Sequence, residues 1–140
     1  MEPVFKKVRV IQWALLATIP LFAWVAEIGH GSGNSDWTWR HWLVMGLCVW
    51  SVSGTFRLRS RMLHRSEEKL KKNAADPKAA KQWEAGHIIS LAMAEGVALW
   101  GLVIRMVFHG ALWQASIFYV MALFLLFLWT PRMPRMAAST

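Results

Sequence analysis

Glu95 is the residue best placed to do chemistry. It lies in the middle of an otherwise apolar stretch, Ala85 to Phe108, reading AGHIISLAMAEGVALWGLVIRMVF. That stretch is long enough to cross a bilayer. An ionised carboxylate in hydrocarbon costs roughly 2.5–3.5 kcal/mol on insertion scales. Glu95 is therefore expected to be neutral, to be paired, or to line a polar cavity. A protonatable carboxyl held between helices can pass a proton or bind a cation. A neutral carboxyl bonded to a neighbouring helix would serve packing alone, and the residues leave both roles open.

Other polar residues fall near the ends of apolar runs. Glu27 and Arg105 both lie at outer ends, where they can form an ion pair between two helices or extend separately to the headgroups. His30, His41 and His109 fall at the same rim. Imidazoles ligate haem and transition metals, but no two of these share a helical i,i+3 or i,i+4 spacing. Interfacial histidines are the expectation, with no metal and no cofactor. His64 and His87 fall on the opposite side. Cys48 is the one cysteine, which rules out a disulfide within the chain and a cysteine-based metal motif. No nucleophile–base pair, phosphate loop or dinucleotide fingerprint is present, so no enzymatic activity is expected.

The elements that must position these residues follow from hydropathy. Apolar residues make up 56% of the 140, and ten residues are tryptophan, a side chain favoured at bilayer interfaces. Spans are predicted over about 10–28, 42–56, 86–108 and 112–129. Pro20 is expected to kink the first by removing its backbone bond to Leu16. The turn-rich GHGSGNS of Gly29–Ser35 follows, and Asp36 can cap the next helix. Past Phe56 the helical pattern continues, with Glu67–Lys71 and Glu68–Lys72 in the favourable i,i+4 order. Asn73 ends it. Asp76-Pro77 restarts a helix, with Asp as N-cap and Pro in the first position. Residues 57–85 thus form a polar helical hairpin beyond the bilayer. His109-Gly110 turns the chain into the last span. The expected fold is all-α: a single integral-membrane four-helix bundle with an extended cytoplasmic hairpin between spans 2 and 3.

Basic residues set the orientation. Three precede the first span, nine lie between Arg57 and Lys81, and two follow the last span. The alternate loops hold Arg40 and the membrane-edge Arg105. Both termini are therefore expected in the cytoplasm, in a bacterial inner membrane. The net charge of +8 is accounted for by topology and requires no nucleic acid. The basic hairpin can meet anionic headgroups.

Residues Asp76 to Arg105 resemble the loop and carboxylate helix of the ATP synthase c-subunit proteolipids. Pro77 precedes Glu95 by eighteen positions. Glu95-Gly96-Val97-Ala98-Leu99-Trp100-Gly101-Leu102-Val103-Ile104 is similar to the context of that family's ion-binding acid. The resemblance covers about thirty residues and implies that Glu95 is a proton-carrying carboxyl. Three functions stay open: a proton- or cation-linked membrane protein acting through Glu95, alone or as a homo-oligomer; a non-catalytic accessory subunit of a larger membrane complex; and a haem- or metal-binding bundle using the rim histidines.

Overall fold

A computed structural model of the protein describes residues 2–28, 33 and 36–132. Among them are four helices and no β-strand: α1 (Glu2–Glu27), α2 (Trp39–Lys72), α3 (Pro77–Met106) and α4 (Leu112–Leu128). α1 and α3 are each long and apolar enough to cross a membrane. α4 is apolar but shorter, at 17 residues.

α1 starts earlier than hydropathy predicts. The basic segment before Val10 is helical from Glu2 onwards, with Pro3 in the first turn where its missing N–H is harmless. The extra turns form because they have something to bury. Val8 is fully buried, and the Phe5 ring lies 6.4 Å from that of Trp83 on α3. Pro20 lies inside the helix, which continues through it.

α2 runs unbroken for 34 residues, about 51 Å at 1.5 Å per residue. It ends at Asn73, whose N–H bonds the Lys69 carbonyl at 2.8 Å. Lys69, Lys71 and Lys72 occupy its last turn, where cations complement the helix dipole. The chain then reverses over four residues. Asn73 Oδ1 accepts from Ala75 N at 3.1 Å, and Asp76 Oδ1 accepts from Lys78 N at 2.9 Å and Ala79 N at 3.4 Å. Asp76 thus supplies two acceptor contacts to the opening turn of α3, with Pro77 at its first position.

α3 is the central helix and packs against all three others. α1 packs on α3 and α4 but not on α2. Small residues make this centrality possible. Gly86, Ser90, Ala94, Ala98 and Gly101 are all buried along α3. A Cβ on Gly86 would come within 3.2 Å of Leu63 on α2. One on Gly101 would meet Ala115, Phe118 and Tyr119 of α4, each at 3.0 Å. Small side chains let backbones approach closely, which matters most where no hydrophobic force separates helix from solvent. The α3–α4 corner is tight: His109 has φ of 51°, and Gly110 N bonds the Ile104 carbonyl at 2.9 Å. Histidine is among the side chains that enter the left-handed region most readily.

Candidate functional site: the polar seam between the first and third helices

α1 and α3 run parallel in nearly constant register. Three polar side chains of α1 meet partners 77 or 78 residues later. Lys7 pairs with Glu84 at one end. Thr18 bonds Glu95 in the middle. Glu27 pairs with Arg105 at the other end. Steps of 11 and 9 residues on α1 match steps of 11 and 10 on α3. The 11-residue steps are close to three helical turns, which brings Lys7 and Thr18 onto one face of α1 and Glu84 and Glu95 onto one face of α3. The steps of 9 and 10 turn away from that face, so the long side chains of Glu27 and Arg105 meet off it.

The end formed by Glu27 and Arg105 is the most elaborate. Arg105 Nε donates to Glu27 Oε1 at 2.8 Å and Nη2 to Oε2 at 3.0 Å. This is the fork geometry that carboxylates bind most strongly. Nη1 donates to the Gly110 carbonyl at 2.7 Å. Arg105 is 4% exposed and Glu27 35%. Gly33 lies against the same guanidinium, and a Cβ there would sit 2.7 Å from Nη1. Only a glycine leaves room for the loop to close over the pair. The two residues that the sequence leaves as either paired or separate are therefore brought together.

The middle group differs from both ends. Thr18 Oγ1 lies 2.9 Å from Glu95 Oε1 and 2.7 Å from the Leu15 carbonyl. A hydroxyl has one proton to give. If it goes to the Leu15 carbonyl, the contact with Glu95 requires that Glu95 donate, hence that it be protonated. If it goes to Glu95, the carboxyl can be ionised. The hydroxyl can therefore serve both protonation states by rotating. Glu95 is partly buried, and among the described residues no basic side chain pairs with it. Glu84 and Glu27 have their cations; Glu95 has a neutral hydroxyl.

Of the rim histidines, His41 and His109 lie among the described residues. His41 begins α2, its Nδ1 lying 2.9 Å from the Thr38 hydroxyl. Its ring sits edge-on to Trp37 and to Phe108. His109 is exposed at the corner, and His30 lies outside the described residues. Among the described residues, no three His, Cys, Asp or Glu side chains gather as a metal site. Cys48 is buried in the core.

Sequence reasoning singled out Glu95, Glu27 and Arg105 but missed Thr18, Lys7 and Glu84. The signal was available: polar residues in α1 and α3 repeat with matching intervals. The offset that joins them becomes meaningful only once the helices are known to be parallel neighbours. Gln12 was also passed over. Its Nε2 donates to the Leu126 carbonyl at 2.9 Å and to Thr130 Oγ1 at 3.1 Å, tying α1 to the end of α4. Comparison with protein-family models, with curated proteins and with solved structures gives no match for this chain.

Proposed function

We propose that the protein is a small four-span integral membrane protein in which Glu95, with Thr18, is a protonatable or cation-binding site. The four-span arrangement is supported by two layers of charge. On one side lie Arg9, Arg57, Arg59, Glu84 and Arg132; on the other lie Glu27, Asp36, Arg40 and Arg105. The ion pairs at the two ends of the seam hold α1 and α3 level with each other. The Phe56–Trp129 ring contact sets the middle of α2 level with the residue that ends α4, and the Trp37–Trp113 contact sets the segment before α2 level with the start of α4. From Arg9 to Glu27 the rise is about 27 Å, close to a hydrocarbon thickness of about 30 Å. Between the layers the only Asp, Glu, Lys or Arg is Glu95. Orientation with both termini in the cytoplasm follows from the basic residues.

The observation that carries the function is the contrast along the seam. Both ends are neutralised by ion pairs, while the middle carboxyl meets a hydroxyl able to serve it protonated or ionised. An uncompensated acid at that depth takes up a proton or a cation, and the resemblance of residues 76–105 to the proteolipid carboxylate helix agrees with this. The test is a hydrophobic carbodiimide, which reacts with protonated carboxyls in apolar surroundings. Glu95 should be modified at neutral pH, and proteoliposomes should carry a pH-driven flux that Glu95→Gln abolishes while folding normally. Infrared carboxylate bands showing Glu95 ionised at neutral pH with no bound cation would overturn the proposal.

A second role, as an accessory subunit, is favoured by the outer face of α2. Trp39, Trp42, Leu43, Val49 and Trp50 stand exposed there, a face wide enough for lipid or a partner helix. Copurification of the tagged protein with a stoichiometric membrane partner, lost on Trp50→Ala, would test that role.

A further inference from the structure

On the side of the molecule that holds the α2–α3 hairpin, the middle of α2, α3 and the end of α4 line a recess of about 560 Å³. α2 contributes Arg59, Ser60, His64 and Glu67, α3 contributes His87, and the segment after α4 contributes Thr130 and Arg132. Unlike Arg105, the half-buried Arg59 has no hydrogen-bond acceptor among the described residues. Its Nε is buried without a hydrogen-bond partner among the described residues. Its guanidinium carbon lies 6.0 Å from the centre of the Trp129 ring, and Trp129 is in turn fixed edge-on against Phe56 at 5.4 Å. An aromatic ring against a guanidinium holds the group in place and leaves its N–H edge available.

His87 is poised in a similar way. It is 2% exposed and lies against the Trp83 ring at 4.2 Å. Its Nδ1 is 3.1 Å from the Trp83 carbonyl. A carbonyl only accepts, so Nδ1 carries a hydrogen. Nε2 is then the nitrogen without a partner in the recess that His87 lines. Burial, with a contribution from Arg59, disfavours the charged ring, so the ring is neutral at physiological pH and Nε2 accepts from a phosphate hydroxyl.

The charges favour an anion. Arg59 and Arg132 supply two positive charges against one from Glu67, while His64 faces Glu68 at 3.3 Å. Burial lowers the Arg59 pKa from its usual value, and the nearby Glu67 partly opposes that shift. The buried Nε of this half-buried guanidinium is an unmet requirement, since each unsatisfied buried polar group costs roughly 1–3 kcal/mol.

We infer that this recess binds a phosphate group, with Arg59 and Arg132 as the charged donors and Ser60 and His87 completing the hydrogen bonds. The phosphate can belong to an anionic phospholipid or be free in solution. The lipid source rests on the four-span reading above, which places the recess at the cytoplasmic headgroup level; the free source does not. Neither requires Glu95 to carry protons.

The experiment uses the full-length protein in phosphatidylcholine nanodiscs. One arm adds phosphatidic acid and counts retained lipids by native mass spectrometry. The other adds inorganic phosphate and reads the rise in melting temperature against chloride at equal ionic strength. One phosphate group per chain should bind in at least one arm, and the responding arm identifies the source. Arg59→Gln should weaken that binding by about tenfold or more, the loss expected for a charge-assisted hydrogen bond. Arg59→Lys should weaken it less, because charge is kept and only the fork is lost. Should Arg59→Gln not fold, Arg132→Gln, on an exposed residue, should lower affinity in the same direction. If wild type shows no preference for phosphatidic acid over phosphatidylcholine and none for phosphate over chloride, the inference is wrong. Equal binding by wild type and every folded Gln variant would also overturn it.

Discussion

Replacing Glu27 with Ala tests whether the seam between α1 and α3 is held as its geometry implies. Arg105 would stay 4% exposed, still donating to the Gly110 carbonyl but without its counter-charge. Removing one partner of a buried ion pair costs ~3–5 kcal/mol, because the remaining charge is stranded. Glu27 is 35% exposed, so water already screens part of the attraction, and the cost should fall at the lower end. We expect about 3 kcal/mol, about a hundredfold in the unfolding equilibrium. A double variant, Glu27→Leu with Arg105→Met, removes both charges and keeps apolar volume. It should lie within about 1–2 kcal/mol of wild type, since it strands no charge and, among the described contacts, costs the Gly110 carbonyl its donor. Reversible unfolding in mixed micelles, followed by near-ultraviolet circular dichroism, gives all the required free energies. A Glu27→Ala protein within about 0.5 kcal/mol of wild type, the ordinary range for surface substitutions, would refute the reasoning. So would a double variant less stable than Glu27→Ala.

Other expectations follow from the same structure. Gly101→Val should destabilise by about 1–3 kcal/mol through overpacking, because the new Cβ meets three α4 atoms at 3.0 Å. Gly46→Ala, with open space around its Cβ, should be neutral or stabilise by up to about 1 kcal/mol through helix propensity; thermal melts of the two should move in opposite directions or differ clearly. For orientation, an impermeant thiol reagent applied outside should label a cysteine placed at Asp36 and not one placed at Asn73. Both positions are exposed and the single native thiol is buried. The opposite labelling pattern would reverse the topology.

Much of the framework is legible along the chain. Asp76-Pro77 announces the start of α3 because a capping carboxylate and a residue with no N–H both suit a helix N-terminus. The apolar length of 85–108 and its one acid make Glu95 conspicuous, because bilayer energetics act residue by residue. Glu27 and Arg105 can be suspected of meeting, since both lie at outer ends. Their bidentate geometry, and the closure of Gly33 and Gly110 over the guanidinium, cannot be read in the same way.

What only the tertiary structure decided is register and neighbourhood. Hydropathy reports how a segment is surrounded, not which helix surrounds it. The offset that pairs Lys7 with Glu84, Thr18 with Glu95 and Glu27 with Arg105 depends on α1 and α3 lying parallel and touching. That contact is set by small residues on α3, which let three helices approach it at once. For the same reason the basic start of the chain looks like a tail in sequence yet is helical in the fold. Its Val4, Phe5 and Val8 acquire a core only when Trp83 and its surroundings are brought alongside. The phosphate recess joins residues from α2, α3 and the end of α4 that are as far apart as Arg59 and Arg132. No local pattern contains it, because its chemistry arises where the middle of α2 and of α3 meet the end of α4.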